Sequence, residues 1–209
     1  MKNKFHLINT IDFVSFMDIS KNQLSLATAC IDKTCKIWNL SDQLLIKTIH
    51  GFNQQISCIQ YCGNYLAAAS FDKSLQIWNT QKDFQLVFII HNCLSSITSI
   101  KFSQNDKYLV TCLSDNLYCE IFNVEQNFKL ERRVQVKASV SIFSPDSKYL
   151  VTSSNNTDES TLNIWNLQNY FEEFNQNQKH SQQILSIAFS NDQKYLATSS
   201  SDRICKIST

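Results

Sequence analysis

A short string, Ile-Trp-Asn, returns through the chain at nearly constant spacing. It occupies residues 37–39, 77–79 and 164–166, and residues 121–123 read Ile-Phe-Asn, a near copy. The aromatic positions therefore lie 40, 44 and 43 residues apart, and a further step of 43 reaches Ser208. A fixed period of about 20–50 residues is typical of chains built from repeated supersecondary units. The sequence predicts one domain over 1–209 containing five repeats, with approximate bounds 5–40, 41–79, 80–124, 125–167 and 168–209.

A second landmark lies upstream of each aromatic position. A leucine opens a run of small and β-branched residues in every repeat, and in four repeats an aspartate follows it six residues later. These aspartates are Asp32, Asp72, Asp115 and Asp202. The fourth repeat differs, because it has Asn156 at this offset and Asp158 two residues later. An aspartate at a fixed place after a strand is typical of a tight turn. We therefore place a turn, here called the corner, between the second and third strands of each repeat.

The segments between these landmarks have the pattern of β-strands. Residues 97–102 (ITSIKF) and 184–189 (ILSIAF) alternate apolar with polar or small side chains, as half-buried strands do. Each repeat has room for four such strands, and helical periodicity is absent. Four strands per repeat of this length indicate a propeller blade. The predicted fold is all-β, a β-propeller of four-stranded antiparallel blades.

These residues resemble the WD-repeat family of β-propellers. The closing dipeptide here is Trp-Asn rather than Trp-Asp, and of the usual Gly-His element only His180 keeps its expected position. The resemblance implies that the recurring residues are structural. They are Asp32, Trp38, Asp72, Trp78, Asp115, Phe122, Trp165, His180 and Asp202.

In this family a histidine, a strand Ser or Thr, the corner Asp and the Trp can form a hydrogen-bonded tetrad within one blade. By position, the fifth repeat supplies His180, Thr198 and Asp202 but no Trp. The first repeat supplies the other combination, namely Thr28, Asp32 and Trp38, without the His. We expect incomplete tetrads and correspondingly weaker blades.

The two ends of the chain suggest how the ring is closed. The fifth repeat ends after its third strand, and residues 5–9 (FHLIN) have the pattern of an outer strand that precedes the first repeat. The family characteristically closes its ring by letting the amino-terminal strand complete the last blade, which removes unpaired edges. This favours a closed ring of five blades. The alternative is a part of a larger propeller, since rings of this family most often have seven blades.

The eight cysteines are predicted to be reduced thiols rather than metal ligands. Cys35, Cys119 and Cys205 hold the same place, three residues before the closing aromatic, where the other repeats have Leu75 and Leu162. Cysteine in an apolar strand position behaves as a small hydrophobic residue. No Cys-x-x-Cys pair occurs, so we expect no metal site and no cofactor. Reduced thiols are typical of the cytoplasm, or of the nucleus.

Charge and motifs argue against several functions. The chain has 19 basic and 18 acidic residues, so it offers no general field for nucleic acid or an anionic membrane. The pair Arg132-Arg133 is isolated, and no apolar run is long enough to span a bilayer. A propeller enzyme is the competing hypothesis, but the four histidines share no repeat position. We expect no enzymatic activity.

The sequence predicts a non-enzymatic scaffold that binds protein or peptide partners on a rigid propeller surface. In WD repeats the residue just before the corner Asp often lies on the partner-binding face. Here the candidates are Ile31, Phe71, Ser114 and Ser201. An exposed Ile and Phe on adjacent blades would form an apolar anchor. The alternative is that both side chains fold inward against neighbouring loops.

Overall fold

The computed structural model describes residues 13–91, 93–114, 118–136, 138, 140–155, 159–169 and 171–209. All regular secondary structure in these residues is β-strand, and every strand pair is antiparallel. The chain divides into two compact units, an N-terminal unit over Met1–Asn92 and a C-terminal unit over Cys93–Thr209. The grouping of all repeats into one domain stays a prediction.

The N-terminal unit contains two four-stranded sheets in simple up-and-down order. Sheet 1 consists of β1 (Val14–Ile19), β2 (Ser25–Cys30), β3 (Cys35–Asn39) and β4 (Leu45–Ile49). Sheet 2 consists of β5 (Ile56–Cys62), β6 (Tyr65–Ser70), β7 (Leu75–Asn79) and β8 (Gln85–Ile90).

The C-terminal unit contains three sheets with the same order of strands. Sheet 3 consists of β9 (Ile97–Phe102), β10 (Tyr108–Leu113), β11 (Tyr118–Asn123) and β12 (Lys129–Gln135). Sheet 4 consists of β13 (Ser141–Phe143), β14 (Tyr149–Asn155), β15 (Ser160–Asn166) and β16 (Glu172–His180). Sheet 5 consists of β17 (Ile184–Phe189), β18 (Leu196–Ser200) and β19 (Cys205–Ser208).

The predicted all-β architecture is confirmed, since each repeat forms its own antiparallel sheet. Four of the sheets have four strands, and sheet 5 has three among the described residues. The predicted strand at residues 5–9 lies outside the described residues, and closure of the ring stays a prediction.

A recurring turn explains how this chain forms left-handed turn conformations with only two glycines. Between β13 and β14, the Ser144 hydroxyl donates to Asp146 Oδ1 at 2.6 Å, and Asp146 Oδ1 also accepts the Lys148 amide at 3.1 Å. Ser147 has φ = 58°, a left-handed conformation that normally favours glycine. The Tyr149 amide then donates to Ser144 Oγ at 2.9 Å. Side-chain hydrogen bonds within the turn thus offset the backbone strain.

The cores lie between neighbouring sheets within each unit. In the N-terminal unit, the small residues Ala27 and Ala29 of sheet 1 let Ile59, Tyr61 and Leu66 of sheet 2 approach closely. In the C-terminal unit one cluster joins sheets 3 and 4, and another joins sheets 4 and 5. Burial of these apolar side chains is the main force that stacks the sheets.

The prediction that Cys35, Cys119 and Cys205 occupy apolar strand positions needs one correction. Cys35 and Cys119 are fully buried, as Leu75 and Leu162 are at the same position. Cys205, however, is exposed. The prediction was wrong there because β19 is an edge strand of sheet 5 among the described residues, so its outer face is not packed like those of β3 and β11.

Candidate interaction site at the corners

The corners after β2 and β6 have the same rigid construction. Asp32 Oδ1 accepts the Thr34 amide at 2.9 Å and the Thr34 hydroxyl at 2.6 Å. Asp72 Oδ1 accepts the Ser74 amide at 2.9 Å and the Ser74 hydroxyl at 2.5 Å. The aspartates therefore fix the backbone of each corner by local hydrogen bonds.

The pKa values of these two carboxyl groups follow from the same contacts. Burial raises the pKa of Asp32, but the hydrogen bonds from Thr34 and the nearby Lys36 ammonium more than offset it and hold the pKa below its ordinary value. Burial likewise raises the pKa of Asp72, and the hydrogen bonds from Ser74 and from the Asn53 amide outweigh that effect. Both carboxylates are thus charged and already engaged at neutral pH.

The residue before each corner aspartate is tied to the strand next to it. The Ile31 amide donates to the Phe13 carbonyl at 3.0 Å, and the Phe71 amide donates to the Gln55 carbonyl at 3.1 Å. In the C-terminal unit the Ser114 and Ser201 amides make equivalent bonds, at 2.7 and 2.9 Å. The backbone of all four candidate partner-binding residues is therefore held in place.

The side chains at these positions project to solvent. Ile31 exposes 49% of its surface and Phe71 exposes 40%, and both serines are exposed. The hypothesis that Ile31 and Phe71 fold inward does not fit this exposure. The two lie on corresponding corners of sheets whose inner strands, β1 and β5, are neighbours, joined by a 2.7 Å hydrogen bond from the Tyr61 amide to Asp18 Oδ2.

A basic residue follows the aspartate in both corners, which the sequence analysis missed. Lys33 and Lys73 each have φ = 68°, and both side chains are exposed. Neither forms an ion pair with any described residue. The recurring order of an apolar residue, Asp and Lys could have revealed them. We call Ile31, Lys33, Phe71 and Lys73 the corner surface.

The hydrogen-bonded tetrad of His, Ser or Thr, Asp and Trp is present only in part. In sheet 1 the Trp38 indole Nε1 donates to Thr28 Oγ1 at 3.0 Å, and in sheet 4 Trp165 makes the same bond to Thr152 Oγ1 at 3.0 Å. Each bond joins the second strand to the third. The indole rings are therefore part of the sheet framework.

Next to sheet 5, His180 makes the tetrad contacts to Asp and Thr that sheets 1 and 4 do not show. His180 Nδ1 lies 2.9 Å from Asp202 Oδ2, and His180 Nε2 lies 2.9 Å from Thr198 Oγ1. Burial raises the pKa of Asp202, but the hydrogen bonds from His180 and from the Ile204 amide outweigh it and lower the pKa. The predicted grouping of His180, Thr198 and Asp202 is thus brought together, and Ser208 stands at the Trp position.

The remaining predicted structural residues differ from one another. Trp78 packs edge-on against Phe52, with ring centroids 6.0 Å apart, and Phe122 is buried in sheet 3. Asp115 lies outside the described residues. In sheet 3 the Thr111 hydroxyl, which occupies the place of Thr28, is buried and has no hydrogen-bond partner among the described residues.

The five repeats also match a known family pattern. The family described as "WD domain, G-beta repeat" matches residues 5–39, 43–79, 84–122, 134–166 and 173–207. The chain belongs to the WD-repeat family. Each matched segment ends at the last residue of a third strand or one residue before it, so the family pattern follows the observed strands.

Several curated relatives share low identity with this chain. Pre-mRNA-processing factor 19 homolog 2 of Arabidopsis thaliana is 21% identical over 198 residues, which is 90% of this chain and 36% of that protein. Protein groucho of Drosophila melanogaster is 23% identical over 188 residues, which is 88% of this chain and 25% of that protein. Mitochondrial division protein 1 of Schizosaccharomyces pombe is 28% identical over 72 residues, covering 34% of this chain and 11% of that protein. The chain thus spans about a third or less of the length of these relatives.

Other polar groups of this WD-repeat chain are engaged in the fold. Arg133 Nε donates to Glu120 Oε1 at 2.8 Å, and the Arg132 guanidinium lies 5.9 Å from the centre of the Phe171 ring. Glu172 and Glu173 accept hydrogen bonds from Asn169 and Asn163. These contacts account for the isolated arginine pair and the adjacent carboxylates as structural groups.

The described residues contain neither a metal-ligand cluster nor a membrane-spanning helix. No three His, Cys, Asp or Glu side chains in the described part of the chain come together as a metal site would require. Nor do the described residues contain a helix that is long and apolar enough to cross a membrane.

A concave surface lies at the other end of the sheets in the N-terminal unit. This cleft of about 420 Å³ is formed by the turns that follow β1, β3, β5 and β7. Its lining is mainly hydroxyl and amide groups, and its one carboxylate, Asp83, is paired with Lys47 at 3.1 Å. The cleft also contains the exposed apolar residues Leu24 and Ile46, but its described lining residues include no Lys or Arg, unlike the corner surface.

Proposed function

We propose that this WD-repeat protein is a non-enzymatic interaction scaffold that binds a protein or peptide through the corner surface. The observation that carries the proposal is the exposure of Ile31 and Phe71 on corners whose backbones are held by hydrogen bonds. Large apolar side chains that a rigid backbone holds in water lose little conformational freedom on binding. They are the kind of residue that anchors the centre of an interface.

The charges beside the anchor define the chemistry of the partner. Lys33 and Lys73 flank the apolar residues, while the charges of Asp32 and Asp72 are engaged within their own corners. A partner segment with an apolar residue next to one or more acidic residues therefore fits this surface, since its charge meets exposed ammonium groups. The aliphatic parts of the two lysines extend the apolar area.

The absence of enzymatic activity and the compartment belong to the same proposal. The groups that could act as acids or bases near the corners hold the fold, as Asp32 and Asp72 do. All eight cysteines are thiols, and seven of them are buried. This pattern favours a reducing compartment, so we place the protein in the cytoplasm or the nucleus.

The proposal is tested by selecting peptides from a random displayed library on the purified chain. We expect enrichment of sequences that combine an apolar residue with neighbouring Asp or Glu. The selected peptide should lose at least about tenfold in affinity for the Phe71→Ser variant, because a central apolar contact is worth upwards of about 1.4 kcal/mol. Lys73→Glu should also weaken binding of the peptide, and the loss of affinity should be larger at low salt than at high salt.

The matched control is Leu44→Ser. Leu44 is also apolar and is more exposed than Phe71, but it lies in the turn after β3, at the other end of sheet 1. This variant should bind the peptide normally. Equal binding to the wild-type and Phe71→Ser chains, with both folded by circular dichroism, would show that the corner surface is not the binding site.

A further inference from the structure

Two cysteines face each other inside sheet 3. Cys112 on β10 and Cys119 on β11 are direct cross-strand partners, and their sulfur atoms lie 3.2 Å apart. Both side chains are fully buried. The Cys112 thiol also donates to Ser141 Oγ at 3.3 Å.

The other sheets show that this hairpin does not need two sulfur atoms. The same register position pairs a small residue with Cys or Leu in every other sheet of the protein. These pairs are Ala29 with Cys35, Ala69 with Leu75, Ser153 with Leu162, and Ser199 with Cys205. At this register position sheet 3 is the one described sheet with a thiol on both strands, so the second thiol is an addition to a position that otherwise takes alanine or serine.

The backbone geometry suits a covalent bond between the two sulfur atoms. Residues directly opposite in an antiparallel pair have Cα atoms about 4.5 or 5.5 Å apart, depending on the type of pair. Disulfides span Cα distances of about 4.4–6.8 Å. Side-chain rotation alone can therefore shorten the sulfur separation from 3.2 Å to the bonding distance of about 2.05 Å.

We propose that Cys112 and Cys119 are a dithiol that a peroxide oxidises to a disulfide, cross-linking β10 to β11 within sheet 3. The Cys112 thiolate attacks one peroxide oxygen, which gives a sulfenic acid and releases water once hydroxide takes up the displaced proton. The Cys119 sulfur then attacks the sulfenic sulfur, and hydroxide leaves with the Cys119 proton as a second water. In sum, two thiols and hydrogen peroxide give one disulfide and two waters.

The environment of the pair assigns the attacking sulfur. The hydrogen bond from the Cys119 thiol lowers the pKa of Cys112, against the opposing effect of burial. The same contact raises the pKa of Cys119, as does burial. Cys112 therefore carries the thiolate first, and the thiolate is the reactive form. Peroxide is small enough to reach a buried sulfur during the brief local openings that folded proteins undergo.

No other two cysteines are direct cross-strand partners in the described strands. Cys35 faces Ala29, and Cys30 lies one residue farther along the strand. Cys58 and Cys62 are four residues apart on β5, a strand separation that a disulfide does not span. In the N-terminal unit burial raises the pKa of Cys35 far above its ordinary value, so this thiol is unreactive.

The test is peroxide treatment of the folded full-length chain, followed by alkylation of the remaining thiols and peptide mapping without reduction. Trypsin releases residues 108–129 as one peptide that contains both cysteines, and cleavage before Asp115 separates them. We expect the two fragments to stay joined, with the loss of two hydrogen masses, and to separate on reduction.

Two variants make the result specific. Cys112→Ala recreates the Ala and Cys pair of sheet 1, so it should fold and should leave Cys119 alkylated. Cys35→Leu recreates the Ala and Leu pair of sheet 2, and it should form the cross-link like the wild-type chain. If peroxide oxidises the exposed Cys205 while Cys112 and Cys119 stay alkylated, or joins them to other cysteines in the folded chain, the proposal is overturned.

Discussion

The Thr111 hydroxyl has no hydrogen-bond partner among the described residues, whereas the equivalent Thr152 hydroxyl has one. The substitution of valine for threonine should therefore have opposite effects on stability at these two positions. Thr111 and Thr152 occupy the same position in sheets 3 and 4, and both are fully buried. Thr152 accepts a hydrogen bond from Trp165, whereas Phe122 stands at the Trp position of sheet 3 and has no N–H to donate. Valine has the shape of threonine without the hydroxyl, and both residues favour strands.

The magnitudes follow from burial. A buried hydroxyl without a partner costs about 1–3 kcal/mol relative to water, so Thr111→Val should raise the free energy of unfolding by about 1–2 kcal/mol. Thr152→Val removes a hydrogen bond and leaves the buried Trp165 indole N–H without its acceptor. It should lower the free energy of unfolding by about 1–3 kcal/mol. The two variants should therefore differ by roughly 2–5 kcal/mol.

Urea unfolding followed by tryptophan fluorescence measures both variants. With a slope of about 2 kcal/mol per molar urea, the midpoint should rise by roughly 0.5–1 M for Thr111→Val and fall by a similar amount for Thr152→Val. Both positions lie in the C-terminal unit, so any separate transition of that unit affects the two variants alike. A fall in midpoint for Thr111→Val, or equal shifts in both variants, would refute the reasoning.

Two further predictions concern charged groups. Arg133→Ala should lower the free energy of unfolding by about 1–2 kcal/mol, because it leaves the buried Glu120 carboxylate without its partner; the half-exposed guanidinium keeps the loss below that of a fully buried pair. Arg132→Ala, measured by the same urea titration, should have a smaller effect, and an equal loss in both would contradict this account. Asp72 has a folded pKa below its ordinary 3.8, so it adds stability above that pH and loses it as the pH falls through the folded pKa. The difference in urea midpoint between wild type and Asp72→Asn should thus be constant near pH 6 and shrink below pH 3.8, and a constant difference at all pH values would contradict the assignment.

The repeat landmarks predicted the strands because each landmark holds an equivalent place relative to the strands of its own sheet. Trp38 and Trp78 fall near the end of β3 and β7, and the corner aspartates that are described lie between the second and third strands. These features depend on local sequence, since turn chemistry and strand alternation act over a few residues. The family resemblance supplied the roles of His180 and of the indole groups.

Features that depend on neighbours across strands were harder to predict. The exposure of Cys205 follows from its place on a strand that is at the edge of sheet 5 among the described residues, and the sequence of its own repeat does not show this. The facing of Cys112 and Cys119, and the lone hydroxyl of Thr111, depend on strand register. Register could have been inferred by aligning the repeats on their leucines and reading opposite positions, so a signal for both existed.

The left-handed turns have a consequence for how this chain tolerates mutation. Ser147 holds φ = 58° only because Ser144 and Asp146 bond the surrounding backbone. Losing either bond therefore also exposes the strain of the left-handed residue, and the damage exceeds that of one hydrogen bond. A glycine at position 147 would adopt φ = 58° without that strain, but it would also remove the hydrogen bond that Ser147 Oγ accepts from the Asn105 amide at 3.1 Å. The serine at this position therefore couples the conformation of its own turn in sheet 4 to the turn between β9 and β10 in sheet 3.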